Sequence, residues 1–237
     1  MQRINSQRPR SEQINIVSFS GIDGAGKTTQ IEALTHWLLA AGLRVELLTF
    51  WDNIVVLPRF RERLSHKAFK GDLGIGSPEK PLNRRDKNVA SWPVTAMRFL
   101  LYFLDALNLW RKVRQSRQSD ADLVIFDRYI YDELANLPLK RWWTRAYIRL
   151  LLQIIPVPDV AYVIDADPVA ARARKPEYPL EFLRRNREAY IAMSHLAGSI
   201  TVIDPLPISA AELKVREAFL QRSLRPGEQF SGLPAVQ

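Results

Sequence analysis

The sequence contains no cysteine among its 237 residues. Disulfide bonds, thiol catalysis and cysteine-bound zinc are therefore excluded, and a chain without thiols is typical of the cytoplasm. Histidine is almost as scarce, with three residues, so we do not expect a histidine metal cluster. Residues 1–13 are polar and basic and lack the apolar core of a secretory signal, so we expect a disordered N-terminal segment in a cytoplasmic protein.

No stretch of the sequence is apolar for long enough to predict a membrane-spanning helix. The longest apolar run, 94–113, is interrupted by Arg98, Asp105 and Arg111, whereas a spanning helix needs about 20 mostly apolar residues. We interpret this run as a core or dimer-interface helix. A second segment, 141–155, combines tryptophan, leucine and arginine in the manner of helices that lie on anionic membranes. Packing against a sheet is the favoured alternative, so no membrane partner is expected.

Acidic residues are outnumbered by basic ones. The 34 lysines and arginines exceed the 25 aspartates and glutamates, which gives a formal net charge of +9. Such an excess is typical of proteins that bind nucleic acid or membranes and of enzymes that collect phosphorylated substrates, and it also fits a basic solvated surface. Because the sequence contains none of the usual nucleic-acid-binding motifs, we expect no nucleic-acid partner.

Residues 14–30 place a glycine-rich loop between an apolar strand and an amphipathic helix. Gly21, Gly26, Lys27 and Thr28 match the phosphate-binding pattern G-x-x-x-x-G-K-S/T. Glycines allow the loop N–H groups to face phosphate oxygens, the lysine reaches the β- and γ-phosphates, and the threonine hydroxyl ligates Mg²⁺. The alternative, a turn that binds nothing, is disfavoured by the flanking strand and helix. The residues expected to bind ATP are Gly21, Asp23, Gly24, Ala25, Gly26, Lys27, Thr28 and Thr29.

Apolar strand-like runs alternate with helical patterns along the chain, which predicts an α/β domain with a parallel sheet. The predicted strands are 14–19, 44–50, 123–126, 160–164 and 200–203. The predicted helices are 28–41, 94–118, 131–137, 141–155, 168–174, 180–196 and 209–222. We expect one domain over 14–222 and a disordered C-terminal tail over 223–237, because the tail contains proline and glycine without periodicity.

A second chemical site is predicted where the apolar strand at 123–126 ends. Asp127 follows this strand directly, and a carboxylate at the end of a buried strand beside a phosphate loop is suited to organise Mg²⁺. Asp165 follows the strand at 160–164 and is a rival for the same role. Arg128 favours Asp127, because a guanidinium beside the metal carboxylate can bind an acceptor phosphate through two hydrogen bonds. The alternative is an ordinary ion pair at a strand end.

At these motifs the chain resembles the thymidylate kinase family of nucleoside monophosphate kinases. The resemblance is carried by 19–30, 127–129 and 158–168, and it continues in the family's order through 172–175, 182–190 and 202–204. It implies a P-loop kinase fold, with a parallel five-stranded sheet flanked by helices and a short mobile lid, and a homodimer. It also implies transfer of the ATP γ-phosphoryl group to a nucleoside monophosphate, with Mg²⁺ as cofactor and dTMP as the first acceptor to test.

The resemblance further implies roles for single residues. Lys27 and Thr28 would hold ATP and Mg²⁺, Asp23 would contact the 3′-hydroxyl of the acceptor sugar, and Arg128 would bind the acceptor phosphate. Some family members carry an arginine in the loop where this chain has Gly24, and members with glycine there take the cation from the lid.

The lid is the expected source of that cation, because phosphoryl transfer depends on neutralising charge on the transferring group. Arg172 and Arg174, with Lys175 beside them, follow the strand at 160–164 and begin a segment that could close over ATP. Arg172 and Arg174 are therefore candidate catalytic residues, together with Lys27 and Arg128. The alternative is that these cations are solvated residues at a helix end, where the helix dipole favours them.

The sequence departs from the family where the acceptor would be recognised. Tyr102 and Asp105 match acceptor-binding positions, but Ala106 replaces an arginine that reads the base. Asp132 and Glu133 stand where small polar residues are usual, and Asn136 replaces a tyrosine near the sugar. Carboxylates there would repel an incoming phosphate unless they face a cation or a sugar hydroxyl.

A basic stretch over 59–87 also departs from the family pattern. It could form an acceptor-phosphate site, but a solvated helix face is the favoured interpretation. Its basic residues include Arg59, Arg61, Arg63, Lys67 and Lys70. These departures leave open a kinase for another nucleotide, a nucleoside or a sugar-type alcohol. An ATP-binding regulatory or nucleic-acid-associated protein is a further alternative.

Overall fold

The computed structural model describes residues 15–58, residue 61 and residues 92–223. Its centre is a five-stranded sheet in which every neighbouring pair of strands is parallel, as the sequence predicted. The strands are β1 (Asn15–Ser20), β2 (Val45–Thr49), β3 (Leu123–Asp127), β4 (Val160–Ile164) and β5 (Ile200–Ile203). Their order across the sheet is β2-β3-β1-β4-β5.

Helices connect the strands and cover the sheet. They are α1 (Lys27–Ala40), α2 (Phe50–Asn53), α3 (Trp92–Ser116), α4 (Ile130–Leu134), α5 (Trp142–Ile154), α6 (Pro168–Arg174), α7 (Leu180–Ala197) and α8 (Ile208–Ser223). The bounds of α6, β4 and β5 agree with the predicted ones. The short helix α2 was not predicted, and the remaining elements differ from the predicted bounds by a few residues at one or both ends.

The central strands form the core because both of their faces are covered. Val17, Phe19 and Ile125 are fully buried, and β4 is buried along its whole length. This explains why β3 and β4 read as nearly continuous apolar runs rather than alternating ones. In the register of the sheet, Phe19 lies beside Asp127 and Ser20 beside Val163. The carboxyl ends of β1, β3 and β4 therefore meet at one edge, where open α/β sheets bind their ligands.

Five predicted elements end earlier than expected, and the cause is visible for two of them. The strand predicted over 44–50 ends at Thr49, because the side-chain oxygen of Asn53 accepts a hydrogen bond of 2.8 Å from the Thr49 N–H and Phe50 begins α2. The helix predicted over 131–137 ends at Leu134. The chain leaves that helix in tight turns, and Pro138 disfavours a helical conformation for the residue before it.

Helix α5 packs against α3 and α7. The packing against the sheet expected for 141–155 stays a prediction. It buries Thr144, Ile148 and Leu151, one narrow stripe of a helix whose other faces carry arginine and tryptophan. Within the described residues, no helix is both long enough and apolar enough to cross a membrane.

Some predictions fall on residues that the structure does not describe. These are the N-terminal segment over 1–13, the tail beyond Ser223 and the basic stretch over 59–87, of which only Arg61 is described. Helix α8 ends at Ser223, one residue into the predicted tail.

Candidate active site

The phosphate-binding loop lies between β1 and α1 and is packed between two neighbouring segments. Gly21 has φ +141°, and a Cβ atom there would lie 2.5 Å from the carbonyl oxygen of Ile164, at the end of β4. Gly24 has φ +80°, and a Cβ atom there would overlap the backbone of Ala171 in α6. Both glycines are thus required by conformation and by close approach of another backbone.

Lys27 is held inside this loop at the start of α1. Its ammonium donates hydrogen bonds to the carbonyl oxygens of Gly21, at 3.0 Å, and Ile22, at 2.8 Å. Burial, and after it the positive charge of Arg128, lowers the pKa of Lys27 to about 8, against the raising effect of nearby aspartates. A bound triphosphate would favour the charged ammonium by supplying the negative charge that carbonyl oxygens lack.

Arg128 connects the end of β3 to the phosphate-binding loop. Its Nη2 lies 2.5 Å from Oδ1 of Asp23, and its Nη1 donates to Oδ1 of Asp132 at 3.1 Å. Arg128 has φ +67°, an unusual conformation for a residue with a side chain. Such strain is found preferentially at functional sites. The 2.5 Å contact brings together Asp23 and Arg128, two residues that the sequence singled out separately.

Asp132 is a buried hub that anchors Arg128. Its two carboxylate oxygens accept hydrogen bonds from Ser20 Oγ at 2.6 Å, the Tyr190 hydroxyl at 2.7 Å and the Tyr129 N–H at 3.0 Å, in addition to Arg128. The negative charge of Asp132 is therefore balanced by the Arg128 guanidinium and by hydrogen-bond donors before any phosphate binds. Sequence reasoning noted Asp132 only as a departure and missed Ser20 and Tyr190. The spacing of four residues between Arg128 and Asp132 was the available signal.

The two aspartates proposed for the metal differ in their partners. Asp165 accepts two hydrogen bonds of 2.6 Å from Arg187 and one of 2.9 Å from the Ala166 N–H. Asp127 lies half-buried beside Phe19, at the edge where the phosphate-binding loop begins. The occupied oxygens of Asp165 favour Asp127 as the metal carboxylate.

Mg²⁺ fits this edge only together with phosphate. Among the described residues, no group of three or more carboxylate, histidine or cysteine side chains could hold a metal ion. Mg²⁺ in kinases is held by one or two protein oxygens plus substrate phosphates and water, so a full protein cage is not needed. The exposed hydroxyl of Thr28 and the carboxylate of Asp127 are hard oxygen donors of this kind.

The predicted acceptor residues Tyr102 and Asp105 are buried on α3. Asp105 is fully buried, and its oxygens lie 2.7 and 2.8 Å from Nη2 of Arg61. Tyr102 is 4% exposed, and the guanidinium of Arg61 lies 5.9 Å from its ring centre. Burial, reinforced by the Glu133 charge, raises the pKa of Tyr102 well above its ordinary value.

Arg61 corrects the interpretation of the basic stretch as a solvated helix face, at least for this residue. Its side chain is 10% exposed and also donates to the carbonyl oxygens of Val56 and Leu101. Ala106, where the family pattern has an arginine, is fully buried. The cation beside Asp105 therefore comes from a different segment of the chain.

The lid candidates Arg172 and Arg174 lie on the short helix α6. Pro168 is its first residue, and the Asp167 carboxylate accepts hydrogen bonds from the N–H groups of Val169 at 3.0 Å and Ala170 at 2.9 Å. The turn that contacts the phosphate-binding loop through Ala171 immediately precedes Arg172. The remaining loop residues predicted to bind ATP, Ala25, Thr28 and Thr29, lie at or just before the start of α1.

Comparison with known proteins gives relatives named thymidylate kinase. No protein-family model matches the chain. A probable thymidylate kinase from Methanosphaera stadtmanae is 26% identical over 198 residues, which cover 81% of this chain and 89% of the relative. A thymidylate kinase from a Thermoanaerobacter species is 29% identical over 188 residues, covering 75% and 82%.

A solved structure gives the same result for the fold. Thymidylate kinase from Ehrlichia chaffeensis superposes with a TM-score of 0.53 at 20% identity, covering 87% of this chain and 98% of that one. This neighbour confirms the P-loop kinase fold. The curated relatives confirm the resemblance seen in the sequence: the chain is similar, at low identity, to proteins named thymidylate kinase.

Proposed function

We propose that this chain is an ATP-dependent nucleoside monophosphate kinase of the thymidylate kinase type, with dTMP as its first acceptor. One observation carries the proposal: Arg128, at the end of β3, lies 2.5 Å from Asp23 of the phosphate-binding loop. A guanidinium suited to an acceptor phosphate thus stands directly beside a loop suited to a donor triphosphate. The relatives named thymidylate kinase support the same reaction, and they do not favour the other acceptors or a regulatory protein.

The donor side would work mainly by positioning. Loop N–H groups and the ammonium of Lys27 bind the β- and γ-phosphates, and the N-terminus of α1 adds its positive dipole end. Thr28 and Asp127 would hold Mg²⁺, and the ion supplies neutralisation of the phosphate charge. Arg172 and Arg174 are proposed to bring further positive charge from the lid, because Gly24 supplies none within the loop.

On the acceptor side, Arg128 would exchange partners. In the structure its charge is balanced by Asp23 and Asp132. An arriving monophosphate can replace Asp23 on the guanidinium, and the Asp23 carboxylate can then accept a hydrogen bond from the sugar hydroxyl. Asp132 stays in place and keeps the guanidinium oriented through its other hydrogen bonds.

The reaction needs no general base in this arrangement. The acceptor phosphate is already ionised near neutral pH, so one of its oxygens attacks the γ-phosphorus directly. The bond from the γ-phosphorus to the bridging oxygen breaks, and ADP leaves with that electron pair. The protein contributes alignment and neutralisation of charge, which are the main terms in phosphoryl transfer.

The test is a panel of nucleoside monophosphates, nucleosides and sugars, with ADP release measured from MgATP. We expect ADP to form only when a monophosphate is added, with dTMP among the most effective. Arg128→Met is the matched variant, because it removes the guanidinium and keeps much of the side-chain length. It should lose acceptor-dependent release and still bind MgATP. The proposal would be contradicted if no compound in the panel increased ADP release by the wild-type protein.

A homodimer is proposed from an exposed apolar stripe on α3. Leu100, Phe103, Leu107 and Trp110 are 60%, 39%, 46% and 42% exposed. Their spacing of three and four residues places them on one face of the helix. Contiguous apolar surface of this kind marks an interaction site, and a second copy of α3 offers a face of matching chemistry.

A further inference from the structure

At Gly24 the phosphate-binding loop lies against the backbone of α6, the short helix that carries the lid candidates. A Cβ atom on Gly24 would overlap the carbonyl oxygen of Ala171, and it would lie 3.0 Å from the carbonyl carbon and 3.2 Å from the Cα of that residue. No side-chain rotation could relieve such an overlap, because every atom it meets belongs to the backbone of α6. One of the two segments would have to move.

The α6 backbone at this contact is held in place by its own hydrogen bonds. The Ala171 N–H donates to the Asp167 carbonyl at 2.8 Å, and the Ala171 carbonyl accepts from the Lys175 N–H at 3.0 Å. The side chain of Ala171 is fully buried. Arg172 is the next residue along the chain, so the position of this turn determines where the lid arginines begin.

We propose that Gly24 is the docking point of α6 and thereby a positioning residue for the lid cations Arg172 and Arg174. This inference rests on the proposed function, and it explains why residue 24 of the phosphate-binding loop is a glycine. The missing Cβ leaves room for the α6 backbone, and the lid arginines approach the phosphates because α6 can settle there. A side chain at position 24 would hold α6 away even if the loop kept its shape.

Gly24→Ala tests the proposal, and the chain offers a matched control. Gly42 has φ +79°, almost the same as the +80° of Gly24, but a Cβ atom on Gly42 would meet nothing within 4 Å. Gly42→Ala therefore introduces the same backbone strain without the overlap. Hydrogen exchange of the α6 amides, followed by mass spectrometry, reports docking without requiring any reaction. We expect faster exchange over 168–175 in Gly24→Ala and unchanged exchange there in Gly42→Ala.

Turnover supplies a second readout that loop damage alone would not reproduce. Displacement of a catalytic group by about 1 Å lowers turnover by roughly 100-fold, and we expect a loss of this order in Gly24→Ala. The same substitution should add less than about a twofold loss in a chain that already carries Arg172→Ala and Arg174→Ala, because its effect acts through those residues. Gly42→Ala should retain the wild-type turnover.

A second pair of variants changes the N-terminal cap of α6 and tests the same role if Gly24→Ala folds poorly. Asp167→Ala removes the side-chain cap of α6 without touching the loop, whereas Asp167→Asn keeps a capping side chain. We expect Asp167→Ala to speed α6 exchange and to lower turnover, and Asp167→Asn to restore both.

The outcomes separate this inference from the proposed function. Unchanged α6 exchange in Gly24→Ala, or a turnover loss that adds fully to that of the lid variants, overturns the positioning role. A second outcome is faster α6 exchange in Gly24→Ala while the wild-type protein releases no ADP with any acceptor. That outcome supports docking at Gly24 and refutes the proposed kinase activity instead.

Discussion

Replacing Arg61 by methionine should destabilise the fold strongly, because it removes the counter-ion of a buried carboxylate. The side chain of Asp105 is 0% exposed and that of Arg61 is 10% exposed, with 2.7 Å between them. Methionine keeps most of the side-chain length and loses the charge. Breaking a buried ion pair from one side lowers the free energy of unfolding by about 3–5 kcal/mol. The Val56 N–H, at 2.8 Å, would remain as a donor to Asp105.

The size of this effect should depend on pH. Burial raises the pKa of Asp105 from 3.8 to about 6, against the lowering effect of Arg61. Because the folded state binds this proton more tightly than the unfolded state, the stabilisation from Asp105 is complete below about pH 4 and is lost as pH rises through about 6. A difference of about 2 pKa units corresponds to about 3 kcal/mol. Without Arg61 the pKa of Asp105 rises further, so protonation offsets much of the loss at pH 5 and little at pH 8.

Urea unfolding followed by tryptophan fluorescence at pH 5 and pH 8 measures the loss of stability in Arg61→Met and its dependence on pH. The control is Arg184→Met, which breaks an ion pair with Glu181 whose side chains are 52% and 66% exposed. Such a surface pair contributes at most about 1 kcal/mol, at either pH. An Arg61→Met loss no larger than that of the control, or equal at the two pH values, would refute the reasoning.

Three further predictions concern the site and the assembly. The pKa of Lys27, about 8 in the free protein, should rise on binding, so MgATP should take up about half a proton at pH 8 and almost none near pH 6.5. Calorimetry in buffers of different ionisation enthalpy measures this uptake, and no buffer dependence at pH 8 would contradict it. Asp132→Ala should raise the KM for the acceptor by roughly tenfold or more, because Arg128 loses the carboxylate that orients it. Equal changes in the KM for the acceptor and the KM for ATP would argue against a role of Asp132 in orienting Arg128. Leu107→Glu should halve the mass measured by light scattering, and an unchanged dimer would exclude the α3 stripe as the interface.

The sheet and the phosphate-binding loop could be predicted because their signals are local. Five apolar runs, each a strand of the parallel sheet, stand out from the amphipathic helices between them. The loop pattern at 21–28 combines glycine positions with the lysine and threonine that phosphate and Mg²⁺ require. The prediction of Arg128 beside the loop followed from topology alone, because the carboxyl ends of parallel strands meet at one edge.

The rest depends on contacts between residues far apart in the chain, which no local pattern encodes. Arg61 and Asp105 are 44 residues apart, and Ser20 and Asp132 are 112 apart. The resemblance placed Asp105 at an acceptor-binding position, and the buried ion pair that it forms with Arg61 has no signal in the local sequence. The backbone contact of Gly24 with α6 likewise becomes visible only once the loop and the lid are placed together.

The measurement that tests the central claim most directly is transfer of radiolabelled γ-phosphate from MgATP to dTMP by the purified full-length chain. We expect labelled dTDP and ADP in equal amounts, and no labelled dTDP from Arg128→Met under the same conditions. A folded wild-type protein that binds MgATP and transfers no label to dTMP or to any other nucleoside monophosphate would contradict the account.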